Sequence, residues 1–138
     1  MKVVLDTNVM VSALLSPHGP PAAILRSVLA EQVMLAYDAR ILTEYRDVLT
    51  RGRLRLDQDR VDGVLGFVET YGELVVAEPL VLDLPHMADA MFVEVAVAGR
   101  VDGLVTGNLR HFPAESVGSV RVISPRSFLD DYLAQGRD

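Results

Sequence analysis

Cysteine and tryptophan are absent from this 138-residue sequence, and lysine occurs once, at Lys2. Without cysteine there is no disulfide framework and no thiolate metal site. Half of the residues are hydrophobic, yet no apolar run approaches the ~20 residues that a membrane-spanning helix needs. The first residues, MKVVLD, also lack the basic region and long apolar stretch of a signal peptide. These absences favour a single cytoplasmic domain over residues 1–138, with no membrane partner.

The charge balance is acidic, with a net charge of −6 from 19 acidic and 13 basic residues. This balance argues mildly against non-specific binding to nucleic acid, which usually requires a basic face. Twelve of the basic residues are arginine, whose forked guanidinium suits phosphate. Five of them fall within fifteen residues: Arg46, Arg51, Arg53, Arg55 and Arg60. A solvated helix end is the simpler explanation of this cluster, and a phosphate-binding surface is the alternative.

Short apolar runs alternate with helix-like segments along the chain. The predicted strands are Val3–Leu5, Val33–Ala36, Leu74–Ala77, Gly103–Thr106 and Val120–Ile123. The predicted helices start near Val9, at Pro20, after Asp38 as N-cap, at Asp57, at Met87 and at Pro125. Strands that alternate with helices predict an α/β fold, a three-layer α/β/α arrangement around a parallel sheet.

Polar residues follow two of these strands directly. The segment from Asp6 to Asn8 ends the first strand, and the similar segment from Thr106 to Asn108 ends the fourth. In parallel α/β sheets, chemistry takes place beyond the carboxyl ends of the strands. Asp6 is therefore a candidate site residue, although an N-cap for the following helix explains it equally well.

Two further acids are candidates for the same site. Glu44 lies between Ile41 and Val48, at the border of an apolar helix face, and Asp89 precedes an apolar helix. Alone, the first reads as a surface residue and the second as an N-cap. Carboxylates that converge within a few ångströms must share a cation, because like charges cannot all ionise there unaided.

These residues together resemble the PIN domain, a metal-dependent nuclease fold, and within it the single-domain ribonuclease toxins (VapC-like) of toxin–antitoxin pairs. The resemblance covers nearly the whole chain and depends on the order and spacing of several short motifs. The motifs are Leu5–Val9, Ile41–Glu44, Val48–Arg51, Asp89–Ala96 and Val101–Pro113.

The resemblance implies a five-stranded parallel sheet in the order 3-2-1-4-5, which places the first and fourth strands side by side. It also implies that Asp6, Glu44 and Asp89 hold Mg²⁺ or Mn²⁺. Asn108 stands where the family often has a fourth acid, and an amide adds no charge. One ion is then well held, and a second is weaker or recruited only with substrate.

The resemblance implies hydrolysis of RNA phosphodiester bonds, with Asp6, Glu44, Asp89 and Asn108 as the catalytic set. Asp6 and Asp89 would be the main metal ligands, and Glu44 a further ligand or a general base. Supporting side chains that hold the carboxylates and water would be those of Thr7, Asn8 and Thr106.

Substrate and partners are expected mainly from the family. The candidates for phosphate contact are Arg46, Arg51 and Arg110, and RNA is preferred over DNA through the resemblance alone. A cognate antitoxin and a homodimer are the expected protein partners.

Other polar residues have simpler explanations. Asp102 begins its predicted strand, so it lies far from the carboxyl end and is read as structural. His18, His86 and His111 show no metal-type spacing and are read as surface or capping residues.

Two alternatives stay open. A nucleophilic-aspartate phosphatase also begins with an apolar strand and an acid, but it needs a second acid where this chain has Asn8 and a later lysine. A phosphoacceptor signalling domain fails on the same missing lysine. A catalytically weak or degenerate PIN-fold module that binds RNA or protein is the second alternative, supported by Asn108.

Overall fold

The computed structural model describes residues 1–135 and contains one five-stranded parallel sheet in the order β3-β2-β1-β4-β5. This order confirms the predicted α/β fold. The strands are β1 (Lys2–Leu5), β2 (Met34–Tyr37), β3 (Glu73–Leu74), β4 (Gly103–Val105) and β5 (Val122–Ile123). The helices are α1 (Thr7–Leu15), α2 (Pro20–Leu29), α3 (Ala39–Leu49), α4 (Gln58–Tyr71), α5 (Ala90–Ala98) and α6 (Pro125–Gln135).

The central strand β1 is buried on both faces. Val3, Val4 and Leu5 are each exposed by 1% or less, although successive side chains in a strand point to opposite faces of the sheet. Helices must therefore cover both faces, and α5 supplies part of one cover because it contacts β1, β2 and β4.

The two edge strands are shorter than predicted, with two residues each in β3 and β5. An edge strand has one hydrogen-bonding neighbour, so regular pairing ends where that neighbour turns away. The backbone N–H of Val75 still donates to the carbonyl of Tyr37 at 2.8 Å, so the pairing of β3 with β2 continues one residue beyond the strand.

Helix starts differ slightly from prediction. The first helix begins at Thr7 rather than near Val9, and the segment predicted to be helical from Met87 begins as a 3-10 turn over Met87–Asp89. Asp38 caps α3 as predicted, since its carboxylate accepts the backbone N–H of Ile41 at 3.1 Å.

The register of the sheet brings two strand ends together. Leu5 of β1 pairs with Val105 of β4, and the backbone N–H of Asp6 donates to the carbonyl of Val105 at 2.9 Å. The next residues, Asp6 and Thr106, therefore leave the sheet side by side. No helix within residues 1–135 has the length and apolar character to cross a membrane.

Candidate active site

Asp6 is a buried carboxylate at the end of the central strand, with 6% of its surface exposed. The hydroxyl of Thr106, which is fully buried, donates to Asp6 Oδ2 at 2.7 Å. Although Asp6 occupies the N-cap position of α1, its side chain makes no capping hydrogen bond. The interpretation of Asp6 as a helix cap is therefore wrong, and its carboxylate is directed to the neighbouring strand end.

Glu44 reaches the same region from α3. The hydroxyl of Thr7 donates to Glu44 Oε2, which joins the second turn of α3 to the start of α1. The next residue, Tyr45, is buried and its hydroxyl donates to the carbonyl of Leu5. Tyr45 thus anchors α3 to the end of β1, one residue before Asp6, and sets the position of Glu44.

Asp89 approaches from the start of α5. It precedes that helix but makes no side-chain capping hydrogen bond. His111 Nδ1 lies 3.2 Å from Asp89 Oδ2. That oxygen is nevertheless buried and has no hydrogen-bond partner among residues 1–135. The two atoms are close, but the imidazole nitrogen and the carboxylate oxygen are not aligned for a hydrogen bond.

The charges of the other two acids contribute to the pKa of Asp6. Burial is the main reason that the pKa of Asp6 is raised above its ordinary value. The charges of Asp89 and Glu44 raise it further, while hydrogen bonds from the Thr106 hydroxyl and the Thr7 backbone oppose the shift. Burial also raises the pKa of Tyr45, with smaller additions from Asp6 and Glu44.

This donor set fits a hard divalent cation in its chemistry. It consists of carboxylate oxygens, the charges of Asp89 and Glu44 raise the pKa of Asp6, and one Asp89 oxygen is buried and unpaired. Within residues 1–135, however, no three His, Asp or Glu side chains are arranged to hold one ion together. Glu44 accepts a hydrogen bond from Thr7, and Asp89 lies against His111. These two side chains would have to rotate before they could hold one ion together with Asp6.

The second strand end contributes support rather than charge. Asn8 Oδ1 accepts the backbone N–H of Gly107 at 3.3 Å, and the backbone N–H of Asn108 donates to the Thr106 hydroxyl at 2.9 Å. The side chain of Asn108 is exposed, with Nδ2 at 3.2 Å from His111 Nε2.

Of the arginines predicted to contact phosphate, two are engaged elsewhere. Arg46 pairs with Glu69 and Arg51 pairs with Asp47, both at 3.1 Å. Arg110 lies on an exposed 3-10 turn that follows Asn108, and it makes no salt bridge within the described part of the chain.

His111 was predicted to be a surface or capping residue, and its half-buried ring lies beside Asp89. His111 lies three residues after the strand-end residue Asn108. This spacing corresponds to one 3-10 turn, so it could have indicated that His111 lies at the same strand end. The structural reading of Asp102 agrees with the structure, since its carboxylate accepts the backbone N–H of Lys2 at 2.8 Å at the opposite end of β1.

A second buried acid, Glu94 of α5, was also missed. Its carboxylate accepts from Arg40 at 2.7 Å and from the backbone N–H of Leu80 at 2.8 Å, and Arg40 also donates to Asp38 at 2.8 Å. This network fixes the segment before Asp89 against the start of α3 and the middle of α5.

The family model described as the PIN domain matches residues 2–110. The chain therefore belongs to the PIN domain family, which is a family of nucleases.

Among solved structures, the chain is similar to a chain in the crystal structure of VapBC2 from Rickettsia felis. In that structure VapBC2 is bound to a DNA fragment from its own promoter. The TM-score is 0.57 at 16% identity, covering 90% of this chain and 98% of that chain. At this identity the likeness supports the fold alone. No curated protein matches the chain.

Proposed function

We propose that this protein is a metal-dependent endoribonuclease and the toxin of a toxin–antitoxin pair, active in the cytoplasm with Mg²⁺ or Mn²⁺. One observation carries the proposal. Asp6 is a buried acid at the N-cap position that does not cap its helix, and the charges of Asp89 and Glu44 raise its pKa. Such an arrangement destabilises the fold unless a cation or proton offsets it.

Asp6, Glu44 and Asp89 would hold the cation, with Asn108 adding no charge for a second ion. When bound, such an ion lowers the pKa of a water molecule and offsets charge at the scissile phosphate. Thr106 holds the carboxylate of Asp6 in one orientation. Glu44 is half-buried and accepts a hydrogen bond from Thr7, and in this proposal it accepts a proton from water.

Contact with RNA is proposed through Arg110, which is exposed, next to the site and outside any salt bridge of residues 1–135. Arg46 and Arg51 contribute less, because each must first leave a carboxylate. The antitoxin partner is proposed from the likeness to the VapBC2 complex, and the homodimer from the family.

The second candidate is a binding module with weak or no catalysis. It is favoured by the absence, within residues 1–135, of three side chains arranged around one ion, and by Asn108. It predicts that RNA or a protein partner is retained without cleavage.

The test is incubation of end-labelled single-stranded RNA with purified protein and Mn²⁺ or Mg²⁺, beside a chelator control and DNA of the same sequence. Asp6→Asn and Asp89→Asn are the site variants. Asp102→Asn is the matched control, since it makes the same change at the other end of β1 and β4.

We expect cleavage of RNA by the wild type and by Asp102→Asn, and at least a ~100-fold loss in both site variants. Undiminished cleavage by Asp6→Asn would contradict the site. Retention of RNA without cleavage would support the binding module, and hydrolysis of a small phosphomonoester would support a phosphatase.

A further inference from the structure

The contact between Asp89 and His111 has an unusual geometry. Asp89 Oδ2 and His111 Nδ1 are 3.2 Å apart, yet the oxygen has no hydrogen-bonding partner of acceptable direction in the described residues. A carboxylate and an imidazole that formed only an ion pair would align a N–H with the oxygen lone pair.

The separation matches that of two atoms that ligate one metal ion. Donors at about 2.0–2.1 Å from a metal lie about 3.0 Å apart when adjacent in an octahedral site and about 3.4 Å apart in a tetrahedral site. In both cases the donors point at the ion rather than at each other. The observed 3.2 Å lies between these two values, and the two groups are poorly aligned for a hydrogen bond to each other.

We propose that His111 is a nitrogen ligand of the cation site. It would replace the fourth acid that the family often has where this chain has Asn108, and it would make the site prefer transition-metal ions over Mg²⁺. Imidazole nitrogen binds borderline ions such as Co²⁺ and Zn²⁺ well, whereas Mg²⁺ prefers oxygen. The inference deepens the proposed function by stating which class of ion the site selects.

Asn108 then has a defined role as the residue that orients the imidazole. Its side-chain amide lies 3.2 Å from His111 Nε2, and rotation of the amide by about 180° presents its oxygen to that nitrogen. The Nε2–H would then donate to Asn108, which leaves the Nδ1 lone pair free to bind the ion. Metal-bound histidines are commonly oriented by such a hydrogen bond. His86 packs against the same ring, with the centroids 4.5 Å apart.

The test measures ion binding rather than catalysis. Isothermal titration with Co²⁺ and with Mg²⁺ is performed on the wild type, on His111→Ala and on His111→Gln. His18→Ala is the matched control, because His18 is exposed in the loop before α2. The ¹⁵N spectrum of the imidazole rings is recorded with and without Zn²⁺, and it contains three histidines.

We expect His111→Ala to weaken Co²⁺ binding at least ~10-fold and to change Mg²⁺ binding less than ~2-fold, with His18→Ala unchanged for both ions. Zn²⁺ should shift the Nδ1 resonance of His111 alone. An unchanged ratio of Co²⁺ to Mg²⁺ affinity, or an unshifted His111 resonance, would overturn the inference and leave the proposed nuclease intact. A wild type that binds neither ion would overturn both.

Discussion

Four helices of this protein begin after an aspartate, and these aspartates divide into two pairs. Asp38 and Asp57 accept backbone N–H groups of the helices that they precede, α3 and α4. Asp6 precedes α1 and makes no capping hydrogen bond, and Asp89, the last residue of the 3-10 turn that leads into α5, makes none either. All four residues are aspartates that lead into a helix, and they differ in their backbone conformation and in their surroundings.

The difference separates structural acids from candidate site acids. A capping aspartate contributes about 1 kcal/mol to stability, and α1 and α5 forgo that contribution. Asp6 and Asp89 instead lie close enough for the charge of Asp89 to raise the pKa of Asp6. Residues that reduce stability in this way are typical of functional sites.

The largest effect is expected from Asp6→Asn, with stability measured in the absence of metal. Burial and neighbouring charges raise the folded-state pKa of Asp6 above 3.8, so the folded state binds more protons than the unfolded state above that pH. Its contribution to stability is present below pH 3.8 and is lost as the pH rises through the raised pKa.

At pH 7 with chelator, Asp6→Asn should therefore raise the free energy of unfolding by about 1–2 kcal/mol, while RNA cleavage falls at least ~100-fold. Urea unfolding at pH 4 and pH 7 measures the difference, which should shrink at the lower pH. A variant less stable than the wild type at pH 7 would contradict the assignment of Asp6 as a strained site acid.

Thr106→Val should give the next largest effect. It leaves both Asp6 Oδ2 and the backbone N–H of Asn108 without their partner, so we expect a loss of about 1–3 kcal/mol in stability and about 10-fold in Mn²⁺ affinity. Thr70→Val is the control, because that exposed hydroxyl donates only to a carbonyl of its own helix. Equal effects of the two substitutions in urea unfolding and titration would show that Thr106 does not support the site.

The capping pair is tested by Asp57→Ala, which should cost about 1 kcal/mol and leave RNA cleavage within ~2-fold of the wild type. Asp38→Ala should cost more, since Arg40 also loses a partner. Asp89→Ala removes an acid that leads into α5 but makes no capping hydrogen bond. Thermal unfolding should therefore show no loss of stability in this variant. A loss in Asp89→Ala as large as that in Asp57→Ala would erase the distinction between the pairs.

The smallest expected effect concerns the arginines. In an Asp6→Asn background that prevents cleavage, Arg110→Ala should weaken RNA binding about 2–3-fold and reduce the slope of log affinity against log salt by about 0.7. Arg46→Ala should change both less, because Arg46 pairs with Glu69. Fluorescence anisotropy at several salt concentrations measures both quantities. A larger effect of Arg46→Ala than of Arg110→Ala would show that RNA binds along α3 instead.

Much of the fold and part of the site could be predicted because their determinants are local. Apolar runs identify the strands to within a few residues, and the cap at Asp38 follows from short-range hydrogen bonding. The acids Asp6, Glu44 and Asp89 were named from strand ends and helix faces together with the family resemblance. Their mutual influence on the pKa of Asp6 is consistent with that choice.

What prediction missed depends on contacts between distant parts of the chain. Thr106 was expected as a supporting residue only through the family resemblance, because it is 100 residues from its partner Asp6 and no local pattern distinguishes this bond from a helix cap. Arg46 and Glu69 meet across the packing of α3 on α4. His111 reaches Asp89 only because a 3-10 turn follows β4.

The sequence by itself determined the alternation of strands and helices and the presence of an acid at the end of the first apolar strand. These properties follow from hydrophobic periodicity and from residue chemistry, which act over a few neighbours. The tertiary structure alone decided that Asp6 faces the neighbouring strand end and does not cap α1, and it placed His111 beside Asp89. The physical reason is that a carboxylate takes its pKa and its partners from whatever the fold packs within a few ångströms of it.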